Sequence, residues 1–401
     1  MRLQFLALIL VATPALGATP TDATIAFYHG APDRAGNYIV PSLNWQSAGT
    51  VHRDRMFDGH VEGHVYAQPL YWRPPGSERG LIIAATEGNF VYALDATTGR
   101  VVWRTAVGRP VPRAALPCGN IDVLGITGTP VIDATHGAMY FDAMNDDSGA
   151  PRHIVYGLKV ADGSVLPGFP IDVAAGLAMR GISFNAVAQN QRGAITLLND
   201  RIFVPFGGHF GDCGDYHGAV VAFNVDPPHL LGAWITRASN GGIWAPAGVS
   251  EADGSLYFPT GNTDGAREWQ DRRACFASHP IWLIPLTRAI FFAPSNGKQQ
   301  DNDELDLGGV TPLPLTLPGS PIPRMLALEK DGKADLLDRT FFGRPRRCAC
   351  GAASGARCDC PRRDDLSCAR CGAARLPGAQ CCVPKRRLCV GHRSARGDGG
   401  G

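Results

Sequence analysis

The sequence predicts an all-β protein built from repeated four-stranded antiparallel sheets, on three observations. Residues 88–107, GNFVYALDATTGRVVWRTAV, set Phe90, Tyr92 and Leu94 in alternation, follow them with turn formers from Asp95 to Gly99, and resume an apolar run at Val101, Val102 and Trp103. Period-two alternation, a turn, and β-branched plus aromatic residues on both arms describe a β-hairpin. Its core, Tyr92-Ala93-Leu94-Asp95, returns as Tyr156-Gly157-Leu158-Lys159 and again as Val221-Ala222-Phe223-Asn224, at offsets of 64 and 65 residues. Glycine (49) and proline (31) both exceed average usage, which suits many tight turns better than long helices.

Each echo is followed by a turn and a further strand, ADGSVLPGFPIDV after Lys159 and DPPHLLGAWIT after Val225, and each is preceded by two apolar stretches. Those are HVYAQPLYW and GLIIAATEG, then GITGTPVID and GAMYFDAMN, then GAITLLND and RIFVPFGG, which makes four strands per repeat. A fourth start is visible at GGIWAPAGVS with SLYFPTGNT, and Pro69, Pro130 and Pro246 hold the same early position in their units. One twisted four-stranded sheet cannot bury both faces alone and packs against copies of itself, so a repeat of this length predicts a β-propeller blade. Solenoids, the main competitor, have shorter periods and single-strand rungs.

Taken from the start, MRLQFLALILVATPALGATP carries an early Arg2, an apolar run from Leu3 to Ala12 and small residues at Ala15 to Gly17, the pattern of a secretory signal peptide over residues 1–17. The run is too short to span a bilayer and no later segment holds eighteen apolar residues, so the expectation is a soluble protein, periplasmic or secreted, without a membrane span. The formal charge of +2 is uneven: residues 344–401 hold thirteen Lys or Arg against four Asp, leaving 25 against 32 before them. An acidic body excludes a general nucleic-acid surface. The chain lacks GxxxxGK[ST], GxSxG and HExxH, and has no Cys-x-x-Cys-His for a covalent haem.

The hairpin resembles the repeat of the PQQ-like, or quinoprotein, β-propellers, matching their pattern at Tyr92, Ala93, Leu94, Asp95, Thr98, Gly99 and Trp103. CGNIDVLGITGTPVID and GGHFGDCGDYHGAVVAFN also look like secreted members of that group. The likeness covers residues 50–265 well and 291–339 in part, and it implies that Trp103 packs between neighbouring blades. The family includes alcohol, glucose and polymer dehydrogenases that use pyrroloquinoline quinone with calcium, and also cofactor-free scaffolds, so fold does not decide chemistry. Its closed members have six to eight blades, whereas this chain carries about four good blades and part of a fifth, an incomplete propeller over residues 18–339 with an irregular stretch at 266–290.

A quinoprotein dehydrogenase needs a hard cation held by oxygens, a carboxylate base and flat groups around the cofactor ring. Asp303, Glu304 and Asp306 in DNDELDLGG resemble the acidic stretch that carries the catalytic Asp, with Asp303 and Asp306 as the candidates; the same run also fits a solvated loop leading into a strand. Trp244 in GGIWAP is the candidate ring-stacking residue, against the alternative of plain packing. Adjacent Cys381 and Cys382 lie outside any blade, so the family's vicinal-disulfide role is not transferred to them. His209 and His217, flanking Asp212 and Asp215, could hold a metal but fit a Gly-rich interstrand loop better. Cys213 of that loop and Cys118 of LPCGNID lie in insertions of neighbouring repeats in an exported protein, and are expected to form a disulfide pinning two loops.

Two function classes remain open from sequence: a quinoprotein oxidising a small alcohol or sugar, or a non-catalytic propeller binding protein or glycan. Residues 340–401 hold nine of the twelve cysteines and no aliphatic periodicity. Their CAC, CDC and CARC groups match no trusted zinc spacing, and a disulfide knot, a disordered tail or the product of a shifted frame also fit. Arg, Gly, Ala, Pro and Cys are what a GC-rich message yields out of frame. The nucleotide sequence checks this: another frame past codon 340 is expected to encode further blade strands.

Overall fold

Asp95 organises the first blade from its turn. Its Oδ1 accepts the backbone N–H of Thr97 (3.1 Å) and Thr98 (2.8 Å) and the Thr98 hydroxyl (2.9 Å), which folds DATTG back on itself. In the computed structural model, which describes residues 24–40, 43–77, 79–264, 303, 305, 307–330 and 332–339, this turn joins two strands of a four-stranded antiparallel sheet. A short helix, α1 (Trp45–Ala48), capped by Asn44, precedes the sheet. Blade 1 is β1 (Leu70–Trp72), β2 (Leu81–Ala85), β3 (Phe90–Asp95) and β4 (Val101–Ala106), hydrogen-bonded in that order.

Blade 2 repeats the plan with β5 (Val131–Asp133), β6 (Ala138–Asn145), β7 (Arg152–Lys159) and β8 (Ile171–Asp172). Every residue of β6 is buried, because the middle strands of a blade are covered on both faces by neighbouring blades. The expected fourth strand in ADGSVLPGFPIDV is only two residues long. Pro167 and Pro170 bring no N–H to the ladder, Phe169 turns inward onto Gly157, and the chain passes into α2 (Val173–Ala178), capped by Asp172.

Blade 3 is β10 (Thr196–Leu198), β11 (Arg201–Gly208), β12 (Ala219–Val225) and β13 (Pro228–Ile235), and β9 (Gln189–Asn190) pairs with the end of β11. Beyond it, β14 (Ser239–Asn240) pairs with β17 (Thr263–Asp264), and the fourth unit supplies the hairpin β15 (Ser250–Ala252) and β16 (Ser255–Tyr257). A fifth sheet holds β18 (Leu313–Thr316), β19 (Pro323–Leu328) and β20 (Ala334–Asp338). The signal-peptide stretch, residues 266–290 and the 340–401 tail lie outside the described residues. Among the described residues no helix is long and apolar enough to cross a membrane.

Neighbouring blades are stitched at two radii. At the outside, Trp103 Nε1 donates to Val160 O (2.9 Å) and Thr105 Oγ1 to Gly163 O (2.8 Å), so the tryptophan of blade 1 sits on the β7–β8 turn of blade 2. A Cβ on Gly163, whose φ is +72°, would lie 2.5 Å from the Trp103 ring. From blade 3, Trp234 packs edge-to-face on Phe258 of the fourth unit with centroids 4.9 Å apart. At the axis, Ile195 N donates to Thr129 O, Ala194 N to Pro246 O, and the Thr311 hydroxyl to Gly248 O, linking the entries of the inner strands in sequence from blade 2 to blade 5.

The N-terminal segment 24–36 crosses these inner strands. Ile25 bridges Tyr71, Ala26 O accepts from Ile132 N, and Pro32 O accepts from Glu251 N. Arg34 is buried beside them, with Nε donating to Val249 O (3.0 Å) and Nη2 to Ile195 O (3.0 Å) and to Thr196 Oγ1 (2.6 Å). Burial draws its guanidinium down to about 9, against the opposing pull of Asp33 and Tyr28. Truncating Arg34 to Ala strands buried acceptors on two blades, and is expected to cost about 3 kcal/mol in urea unfolding. The same change at exposed Arg109 is expected to cost under about 0.5 kcal/mol.

Candidate functional site

The direction of the inner strands separates two faces. Segments that enter β5, β10, β15 and β18, together with the β2–β3 turn and its equivalents, lie at one end of the blades; the β1–β2 and β3–β4 types of turn lie at the other. Trp244 belongs to the first face, on the entry to β15. It is half-buried, with Gly261 and Gly309 against its ring edge, and carries Arg192 Cζ 5.6 Å and Lys330 Nζ 5.0 Å from its ring. Arg192 enters β10 and Lys330 sits in the β19–β20 turn, so three blades converge on one indole. An aromatic plane with two cations is suited to a flat anion or to the π-face of a planar group.

On blade 1, the β2–β3 turn buries Glu87. Its Oε2 accepts Gly125 N (2.6 Å), while Oε1 and the neighbouring Thr86 Oγ1 and Asn89 Oδ1 are buried oxygens without a protein partner. Burial pushes the Glu87 carboxyl up to about 7, and the Gly125 N–H only partly counters it. Deeper, Asp142 and His153 form a pair sealed from solvent, Oδ2 to Nδ1 2.6 Å, and His153 Nε2 donates to Gln189 O of the next blade (3.0 Å). Burial alone would lower His153, but the facing carboxylate and the Gln189 carbonyl raise it, while burial also raises Asp142. Phe184 and Phe206 pack edge-on against this imidazole, which binds blades together and is closed to substrate.

Cys118 and Cys213 are joined in a disulfide with Cα atoms 5.8 Å apart, across 95 residues. It closes the β11–β12 loop over the entry to blade 2, beside a small cleft lined by Asn120, Ile121, Leu124, Asn190, His209 and Phe210. His209 Nε2 donates to Val187 O (3.0 Å) and the ring is lowered by burial to about 4, which keeps it neutral. The loop's other polar groups do not converge: His217 Nδ1 donates to Thr236 O, and Asp212 accepts the Tyr216 hydroxyl. Among the described residues the group of three or more metal-type ligands is instead Asp133, His136 and Asp200, at the opposite face.

Of the acidic candidates, Asp303 is exposed, and Glu304 and Asp306 lie outside the described residues. The same stretch continues into the Leu307–Gly309 turn, and Gly309 touches Trp244, which puts Asp303 six residues from that contact along the chain. Sequence reasoning missed Arg192, Lys330, Glu87 and Arg34. Glu87 had one usable signal, a carboxylate in the turn TEGN between two apolar strands; the others had none.

Solved structures of similar shape include alcohol and methanol dehydrogenases. The chain is similar to a quinohemoprotein alcohol dehydrogenase from Comamonas testosteroni, with a TM-score of 0.56 and 14% identity over 79% of this chain and 48% of that one. It is similar to quinohemoprotein alcohol dehydrogenase ADHIIG from Pseudomonas putida HK5 (0.55 and 14%, over 80% and 47%). A europium-containing methanol dehydrogenase gives 0.53 and 13%, over 80% and 57%. The chain thus spans about half the length of the solved structures it matches. At these identities the likeness is one of fold, and the fold is a β-propeller. No family model matches the sequence and no curated protein is similar to it in sequence.

Glu87 makes stability depend on pH with a definite sign. Between its ordinary value of 4.5 and about 7, the folded protein holds a proton that the unfolded chain has released, so stability falls as pH rises through that window. Glu87→Gln keeps the shape and removes the charge. It is expected to gain up to about 3 kcal/mol over the parent at pH 8 and little at pH 4.5, measured by urea unfolding at both pH values. An equal gain at both would assign the titration to another group.

Proposed function

We propose that the protein is an exported propeller that binds a planar, negatively charged ligand at the channel mouth around Trp244, with pyrroloquinoline quinone the ligand that the fold likeness favours. The observation that carries this is the Trp244 ring with Arg192 and Lys330 close to it. A fused aromatic quinone bearing carboxylates matches a flat aromatic partner and two cations. The Cys118–Cys213 disulfide supports an oxidising compartment, periplasmic or extracellular.

The described residues supply the aromatic and cationic half of a quinone site. Among the described residues, the group of three or more His, Cys, Asp or Glu side chains, Asp133, His136 and Asp200, is at the other face. Oxidation of an alcohol or sugar, with Asp303 or Asp306 as base, is therefore the stronger claim within the same proposal. Binding is the weaker claim and is tested first.

A non-catalytic scaffold is favoured by a different observation. Around α1 the chain exposes Ile39, Trp45, Val51 and Met56, with Trp45 97% exposed, an apolar surface suited to a protein or glycan partner. Titration of the protein with pyrroloquinoline quinone, with and without calcium, separates the two through tryptophan fluorescence and thermal shift. The expected result is saturable quenching weakened tenfold or more by Arg192→Ala, with dye-linked oxidation of an alcohol and sugar panel reporting turnover. Absence of quenching and of a thermal shift would overturn the ligand proposal and leave the scaffold.

A further inference from the structure

The face opposite Trp244 brings together donors from two blades. Asp133 ends β5 with its carboxylate buried: Oδ1 accepts the backbone N–H of Thr135 (3.0 Å) and His136 (3.1 Å), and Oδ2 lies 2.6 Å from His136 Nδ1. Asp200 occupies the two-residue turn Asn199–Asp200 between β10 and β11, both at positive φ (49° and 57°), a conformation that Asn and Asp tolerate. Because β5 and β10 are neighbouring inner strands, these turns arrive side by side. One ligand atom from each of Asp133, His136 and Asp200 lies within 4.8 Å of the others.

We infer that Asp133, His136 and Asp200 form a divalent-cation site of the zinc class that bridges blades 2 and 3. One imidazole nitrogen with two carboxylates suits a borderline metal of low coordination number, whereas calcium takes six to eight oxygens. Asp133 can turn only Oδ2 to the metal, since Oδ1 is held by two backbone donors, and that anchoring fixes the ligand's direction. The charge around the site favours a cation. Asp226 and Asp200 both act on His136 in addition to Asp133, and the same three carboxylates act on Tyr140, while Arg201 follows Asp200 in the chain.

Binding exchanges a proton for the metal. In acid a proton competes for the His136 nitrogen that would ligate, as for any imidazole ligand. The metal takes the nitrogen's lone pair, the proton leaves to solvent, and the 2.6 Å pair opens to the wider separation of two ligands on one ion. Affinity therefore falls as pH falls. The occupied site would clamp blade 2 to blade 3 at the face where neither Arg34 nor the disulfide reaches.

Calorimetric titration of the full chain with ZnCl2 at pH 7.5, compared with His136→Gln and Asp200→Asn, tests this. His136 and Asp200 are both exposed, and Asn keeps the turn conformation, so the variants retain the fold. The cysteines between 348 and 389 also offer thiolates, so the readout is a difference: each variant is expected to lose one equivalent of zinc and the corresponding rise in melting temperature. With CoCl2 the lost equivalent is expected to show d–d bands without a thiolate charge-transfer band, and to weaken tenfold or more at pH 5.5. Unchanged stoichiometry in both variants, or equal affinity for CaCl2 at this equivalent, would overturn the assignment.

Discussion

At their inner strands, neighbouring blades meet backbone to backbone, and the rest of the structure depends on nothing standing between them. A Cβ on Gly248 would lie 2.6 Å from the Ala194 nitrogen, closer than any side chain allows, and its φ of +63° lies in the left-handed region that favours glycine. That approach lets Ala194 N reach Pro246 O and lets the Thr311 hydroxyl reach Gly248 O. Once inner strands touch in this way, the middle strands are walled in on both sides, which is why β6 and most of β11 and β12 are buried. The large aromatics then fill the wedge that opens outward, Trp103 over blade 2 and Trp234 against Phe258.

Close approach at the axis also forces polar groups inward. Loop entries carry carbonyls and side-chain oxygens into the interior, and several of them find a specific partner. His153 uses both ring nitrogens, one on Asp142 and one on Gln189 O of the next blade. Arg34 reaches acceptors on two blades at once. Where the answer is incomplete, as at Glu87, the cost appears as a carboxyl that keeps its proton far above its ordinary range. Such groups weaken the fold and specify it, because only the correct register satisfies them.

What could be read from the sequence follows from the distance over which each feature is encoded. The DATTG turn is local, closed by Asp95 on Thr97 and Thr98, so the hairpin was legible from a few residues. Blades were legible because the pattern returns, and Trp103 because the family likeness gave it a place between them. Cys118 and Cys213 were legible through their positions in adjacent insertions. Arg34 was not: its partners are 161 and 215 residues away and its own segment has no periodicity. Arg192 and Lys330 looked like ordinary surface cations, and only the convergence of three blades brings them to Trp244. Asp133 and Asp200 sit in unrelated turns, and their meeting depends on the pairing of inner strands rather than on spacing. The fourth strand of blade 2 was legible but is short: it pairs with β7 only at Ile171 and Asp172, and Pro167 and Pro170 bring no N–H to a longer ladder.

The segment around Arg34 has a consequence for the order of assembly. It leaves the ribosome before any blade, yet its last contacts are to Val249 and Glu251 in the fourth unit. Local hairpins such as β3–β4 can close as soon as they are made, whereas this strap has nowhere complete to dock until four units stand in line. The first described residues of the chain are thus the last to be seated, and their docking records that the inner strands have been laid down in the right number and order. A chain arrested before residue 249 would carry an intact strap with no place to put it.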